Sequence, residues 1–302
     1  MTDAPIVEQV MILVLIMAVG VYARKRFMIT DETRQRLSEL LLQVTLPAMV
    51  VISFQFEYDP AMLAGAGIIL LVAFAAHGGP AVLGTVLFRR YPARTRKVLQ
   101  FVAVFSNCGF MGFPVLDSIF GRVGVFYGSV YMIAFHVFLW TFGVVLFQGK
   151  RDPQALRKAA LNPGILAVVV GLILFGLSIR LPYPLYQALD MVGSMTTPIA
   201  MLIVGSILAD VDIRRAFQGS ALYYGTAIRL LILPLLFLVL LRLIPMPAMV
   251  LQISVLLIAM PAAANTAIFT EAYGADTVFA SRIVAFSTLV SILTIPAVLW
   301  LI

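Results

Sequence analysis

Residues 106–114 read SNCGFMGFP and lie in the middle of an otherwise apolar stretch, 98–120. Proline removes a backbone donor and clashes with the preceding turn, while glycine permits conformations that other residues resist. The pattern therefore predicts a helix that breaks near its centre. A second stretch of the same character, MPAAANTAIF at 260–269, carries Pro261 and the polar pair Asn265 and Thr266. We predict a second break there.

The composition of the whole chain indicates whether these breaks lie in a soluble protein or in a membrane protein. Of 302 residues, 62% are hydrophobic and 12% are charged, and the mean hydropathy is +1.04. Soluble domains are about 45–50% apolar and about 25% charged. This composition excludes soluble enzymes and nucleic-acid binders, and the net charge of +7 is more typical of membrane topology. The single cysteine, Cys108, excludes an intramolecular disulfide.

The apolar runs are continuous rather than alternating, which favours helices over a transmembrane barrel. We predict an all-α polytopic membrane protein with ten transmembrane helices. The predicted spans are 6–23, 36–56, 62–88, 98–120, 123–147, 162–180, 186–208, 217–243, 249–271 and 277–301.

The basic residues alternate between the two sets of loops. Seventeen Lys and Arg fall on one side and three on the other, with Arg229 left inside a span. Cytoplasmic loops collect Lys and Arg. We therefore expect a multi-pass membrane protein with both termini outside.

The chain divides into two similar halves. The polar stretch 148–160 separates residues 1–147 from 161–302, and prolines recur in both halves at offsets of 151, 154 and 147 residues. The pairs are Pro47 with Pro198, Pro80 with Pro234, and Pro114 with Pro261. Because each half has five spans, the second must be inserted upside down. We predict the 5+5 inverted repeat typical of secondary transporters, with 148–160 as a cytoplasmic linker.

The two breaks occupy corresponding spans, the fourth and the ninth, of the two halves. Irregular backbone at mid-membrane depth is tolerated only where it is buried in protein or lines a wet cavity. Paired breaks of this kind indicate a transport site, and half-helix N-termini ending there would favour an anion. A simple kink filled by neighbouring side chains is the alternative.

The motif SNCGFMGFP resembles the Asn-x-Gly-Phe-x-Gly-x-Pro signature of the auxin efflux carrier family. LPA at 46–48, NPG at 162–164 and the Pro198–Gly205 stretch also match that family's pattern. The resemblance covers nearly the whole chain. The family includes plant auxin exporters and bacterial permeases for malate and related acids. This chain is similar to the latter because it lacks the exporters' long central loop. The resemblance therefore implies a bacterial inner-membrane permease, with both termini in the periplasm.

The resemblance implies a fold like that of bile-acid symporters and sodium/proton antiporters, in which helices 4 and 9 unwind and cross. Helices 1, 2, 6 and 7 would form a scaffold, and helices 3–5 and 8–10 a moving transport unit. Asn107 would contact the substrate carboxylate, and Pro114 and Pro261 would mark the crossover. The expected partners are a small organic anion and the lipid bilayer. A homodimer that forms through the scaffold helices is compatible with this arrangement.

Arg229 lies near the middle of the eighth span, where a cation is costly. It either caps carbonyls of a broken helix or attracts an anionic substrate. The third interpretation is that the true span is shifted by a few residues, so that the Arg229 side chain reaches the membrane–water interface. His136 is central in the fifth span, and it either packs or donates a hydrogen bond. The predicted substrate-binding set is Asn107, Gly109, Asn265, Thr266, His136 and Arg229.

No zinc-protease, nucleophile-elbow or phosphate-loop motif occurs in the sequence, so we predict neither an enzyme nor a cofactor or metal site. The leading hypothesis is a secondary transporter that carries a small organic anion by alternating access. A sodium-coupled symporter of the same fold and a membrane sensor that binds such an anion without moving it are the alternatives.

Overall fold

The computed structural model describes residues 6–149, 153–210 and 218–302, and this part of the chain is helical, without a β-strand. The helices in chain order are α1 (Ile6–Lys25), α2 (Asp31–Ser53), α3 (Pro60–Leu87), α4 (Ala93–Val104), α5 (Cys108–Gln148), α6 (Ala155–Ala160), α7 (Pro163–Gly176), α8 (Tyr183–Ala209), α9 (Ser220–Arg242), α10 (Ala248–Ala259), α11 (Asn265–Ala272) and α12 (Thr277–Leu301).

Six of the described helices are long and apolar enough to cross a membrane: α2, α3, α5, α8, α9 and α12. The apolar helices α7 and α10 are shorter. α4 begins with Arg94, Arg96 and Lys97, which lowers its mean hydropathy. These helices support a polytopic membrane protein, whereas the ten-span count and the inverted repeat stay predictions.

Local sequence explains where several helices begin and bend. The Asn162 side chain accepts a hydrogen bond from the Gly164 N–H, with Pro163 at the first helical position, so Asn162 is the N-cap of α7. α5 changes direction at Gly121, whose φ of 59° and ψ of −149° are accessible mainly to glycine. The predicted boundary between the fourth and fifth spans falls at this residue.

Four π-helical turns interrupt the described helices, and prolines account for three of them. The turns are Leu41–Thr45, Cys108–Gly112, Leu139–Gly143 and Ile228–Ile232. Pro47, Pro114 and Pro234 each follow a turn by two residues. Proline lacks an N–H and its ring crowds the carbonyl four residues earlier, so the helix widens ahead of it. The turn Leu139–Gly143 has no such proline.

The chain forms two compact units, each assembled from both halves of the sequence. Unit 1 comprises the described residues of Met1–Ile69, Gly109–Ile133 and Ala160–Asp210. In it α1 packs along the C-terminal half of α8, where a Cβ on Gly205 would overlap the Met17 carbonyl. The last turns of α2 pack against α7 and the start of α8.

Unit 2 comprises the described residues of Leu70–Cys108, Ala134–Ala159 and Val211–Ile302. In it α9 packs on α10 and α12, and α11 packs on α12 and α4. The division into scaffold and transport helices and the repeat boundaries stay predictions. Four cations of the topology argument, Lys150, Arg151, Arg214 and Arg215, lie outside the described residues.

Candidate functional site

The first predicted break is present between α4 and α5. α4 ends at Val104, Phe105 is extended with φ of −103° and ψ of 108°, and helical structure resumes at Cys108. The break therefore begins ahead of Gly109. Pro114 lies in the α-helical turn that follows the π turn Cys108–Gly112, several residues beyond the irregular backbone.

The second predicted break lies between α10 and α11. α10 ends at Ala259, and Met260 has an extended backbone with φ of −61° and ψ of 148°. Pro261 follows directly, and α11 begins at Asn265. Because proline disfavours the α conformation in the residue before it, Pro261 explains why Met260 leaves the helix.

The two breaks hydrogen-bond to each other within unit 2. The Asn107 N–H donates to the Pro261 carbonyl over 2.7 Å, and the Ala263 N–H donates to the Phe105 carbonyl over 3.1 Å. Backbone groups that leave a helix away from water must find partners, since an unpaired one costs about 1–3 kcal/mol. Each break supplies the partners that the other needs.

The centre of this pair is enclosed. Ser106 lies opposite Ala262 in an antiparallel bridge, and both residues are buried. The Ala262 N–H donates to Ser287 Oγ of α12 over 3.1 Å. α12 therefore holds the second break through Ser287, a residue that was not predicted from the sequence.

Arg229 joins the ends of the two helices that lead into the breaks. Its guanidinium donates to the Ala103 carbonyl over 2.9 Å and to the Ile258 carbonyl, and the side chain is 2% exposed. Each helix C-terminus carries roughly half a negative charge, so two of them amount to about one, which the guanidinium compensates. These are the carbonyl contacts of the first interpretation; attraction of substrate stays a prediction.

The predicted polar residues of unit 2 lie on or directly after the breaks. Asn107 is 4% exposed. Asn265 is half-buried at the first position of α11. Thr266 is fully buried and its Oγ1 donates to the Ala263 carbonyl over 2.6 Å. Asn107 therefore lies where the first break pairs with the second, and Asn265 and Thr266 begin the helix that follows the second break. Gly109 and Pro114 belong to unit 1.

The two histidines of unit 2 have different surroundings. His77 is buried, its Nδ1 lies 2.7 Å from the Ala73 carbonyl, and its ring contacts those of Phe105, Phe135 and Phe138. It is a packing residue. His136 is half-buried on α5, and its Nδ1 is buried without a hydrogen-bond partner among the described residues.

Trp140, one turn after His136 on α5, is not among the residues predicted from the sequence. Its Nε1–H is likewise buried without an acceptor in the described part of the chain. The spacing of four residues places both rings on one helix face, a signal that was available in the sequence.

Unit 1 contains a separate small cavity of about 80 Å³. Its polar lining includes Asp117, Arg122 and Asp190, and Arg122 donates to Asp190 over 2.9 Å. None of the predicted substrate-binding residues lines it.

Comparison with known proteins agrees with a transport function. A family model described as "Membrane transport protein" matches residues 5–299. An uncharacterized transporter of Methanothermobacter thermautotrophicus is 23% identical, over 97% of this chain and 96% of its own length. The uncharacterized transporter YfdV of Escherichia coli K12 is 24% identical, over 96% of this chain and 94% of its own. The chain therefore belongs to the membrane transport protein family, which is the auxin efflux carrier family that its fourth-span motif resembles.

Proposed function

We infer that the protein is a secondary transporter that moves a small organic anion across the membrane by alternating access, and that the substrate binds where the breaks α4–α5 and α10–α11 meet. The observation that carries this proposal is the mutual pairing of the two breaks, joined by the bonds between Asn107 and Pro261 and between Ala263 and Phe105. Discontinuous helices that meet near the bilayer midplane are the usual construction of such sites.

The charges around the breaks favour an anion. Arg229 offsets the negative helix-dipole ends of α4 and α10, so these ends do not repel an anion. The beginning of α11, at Asn265, adds a partial positive charge worth about 0.3–2 kcal/mol to an anion. The Asn107 amide can donate hydrogen bonds to a carboxylate.

The dimensions of α4 and α10 fit a site at mid-depth. Each helix has 12 residues, which span about 18 Å at 1.5 Å per residue, roughly 60% of a 30 Å hydrocarbon core. In this proposal the fourth and ninth of the ten predicted spans cross where the two breaks pair with each other. The helices that carry it move against scaffold helices 1, 2, 6 and 7, in an inner membrane with both termini periplasmic.

The test is counterflow in proteoliposomes. Purified protein is reconstituted with a panel of unlabelled mono- and dicarboxylates inside, malate and indole-acetate included, and uptake of the matching labelled acid is followed. We expect saturable uptake for at least one acid, lost in liposomes without protein. An acid that binds by thermal shift but shows no flux would instead favour the sensor.

A further inference from the structure

The face of α5 that carries His136 and Trp140 has three unusual features in one turn. The His136 Nδ1 and the Trp140 Nε1–H are both buried without partners among the described residues. The helix around Trp140 is widened into the π turn Leu139–Gly143, which no proline explains. Buried tryptophans usually find an acceptor, and isolated π turns are frequent at functional sites.

The same face lies alongside α11, the helix that begins at the second break. The Trp140 and Phe269 rings are 6.3 Å apart, and the Phe147 and Tyr273 rings stack at 6.1 Å. Because the order of these pairs along α5 and α11 is the same, the two helices run parallel here.

A positive charge is also close to this face. The Lys158 ammonium lies 5.8 Å from the Trp140 ring centre. An indole Nε1–H can only donate a hydrogen bond, so the group that satisfies it must be an acceptor. A donor beside a cation, in a unit that carries the paired breaks, suits an anionic oxygen.

We propose that Trp140 and His136 form a second hydrogen-bonding subsite of the transport site, in which the Trp140 Nε1–H donates to an oxygen of the transported organic anion. The inference rests on the proposed function and names a residue that determines specificity within it. The π turn widens the helix at Trp140. His136 contributes a ring nitrogen one turn earlier, as donor or acceptor according to its tautomer.

The test uses the fact that the chain has two tryptophans. Trp300 is 87% exposed, so Trp300→Phe is the matched control and leaves Trp140 as the sole tryptophan, which is excited selectively over the tyrosines at long wavelength. Trp140→Phe removes the N–H but keeps a ring against Phe269. The probe is whichever acid of the panel the wild-type protein takes up with saturation.

We expect Trp140→Phe to raise the KM for that acid about tenfold, with Tm near the wild-type value, because the lost N–H has no partner within the described chain. His136→Gln should raise the KM by less, since an amide retains a donor and an acceptor. In Trp300→Phe protein, the acid should change the Trp140 emission with a midpoint close to its KM.

An unchanged KM in Trp140→Phe, or a Trp140 emission that does not respond to a transported acid, would overturn the subsite. A fall in Tm with unchanged KM would show that Trp140 only packs. Absence of saturable uptake by the wild-type protein contradicts the proposed function itself, and this inference with it.

Discussion

Arg229 in unit 2 and the arginines of a charge cluster in unit 1 are held in opposite ways. Arg229 is 2% exposed and donates to two backbone carbonyls at helix ends. In unit 1, Arg24 and Arg34 both bind Asp31 and Asp210, through four contacts of 2.6–2.9 Å. The side chains of this cluster are 20–75% exposed.

This difference indicates where an arginine matters most. Exposed ion pairs are screened by water and salt and contribute about 0–1 kcal/mol. A buried guanidinium that satisfies carbonyls cannot be replaced by water, so its removal leaves those carbonyls unpaired. We therefore expect the folded state of the breaks to depend on Arg229 and to be nearly indifferent to any one residue of the exposed cluster.

The largest effect is expected from Arg229→Leu. Two buried carbonyls, those of Ala103 and Ile258, would lose their donor at about 1–3 kcal/mol each, so we expect a destabilisation of about 2–6 kcal/mol and loss of transport. Thermal unfolding in detergent measures the effect, with Arg34→Gln as the matched arginine control, because the Arg34 guanidinium donates to the carboxylates of Asp210 and Asp31. Arg229→Lys, which keeps the charge but not the fork of donors, should fall between. A stable, active Arg229→Leu protein would remove the distinction between the two regions.

A residue that binds substrate at the same breaks should behave differently from Arg229. Asn107→Ala removes the side-chain amide but keeps the backbone N–H that donates to Pro261, so the fold should persist with near-normal Tm. A hydrogen bond to a charged group contributes about 1.5–3 kcal/mol, which predicts affinity weakened about 10–100-fold. Asn107→Asp should be worse because like charges repel. Binding and Tm are measured together; wild-type affinity in folded Asn107→Ala would exclude Asn107 from the site.

The exposed cluster should respond weakly, and in a pH-dependent manner. Burial opposes ionisation of Asp210, but hydrogen bonds and charge from Arg24 and Arg34 outweigh it and lower the pKa of that carboxyl. A lowered pKa in the folded state stabilises above the ordinary value of 3.8, and this contribution is lost as pH falls through the lowered pKa. Asp210→Asn should therefore reduce stability at pH 7 by less than about 1 kcal/mol, with the difference shrinking in acid and in high salt. A loss of several kcal/mol of folding stability in Asp210→Asn at pH 7 would contradict the expected difference between the exposed cluster and Arg229.

The smallest expected effect concerns sodium. Among the described residues, no group of three or more His, Cys, Asp or Glu side chains is placed to hold a metal ion, and the predicted site residues include no carboxylate. We expect uptake to be the same with and without an inward sodium gradient at fixed membrane potential. Severalfold stimulation would contradict this prediction and favour the sodium-coupled symporter, for which oxygen ligands of unwound backbone would be the candidate site.

Much of the local structure could be predicted from single residues. Pro261 located the second break, because proline acts on its own backbone and on the residue before it. The motif SNCGFMGFP located the first break only to within a few residues, since the chain leaves the helix at Phe105, ahead of Gly109. Asn162 before Pro163 marks the start of α7 in the same local way, because a capping side chain and a proline act on the first helical turn. Pro114 was a poorer guide to the position of the first break. The first turn of a helix accepts a proline, and the irregular backbone lies ahead of Pro114.

The partners of these residues could not be predicted in the same way. Pairing of 105–107 with 261–263, the carbonyls that hold Arg229, and the line of rings from Trp140 to Tyr273 join segments far apart in the chain. Composition and local pattern by themselves determined a helical membrane protein with two broken spans, since solvent transfer and backbone sterics act residue by residue. Only the tertiary structure decided which backbone groups complete each other, because a hydrogen bond across the fold depends on two segments arriving at one place.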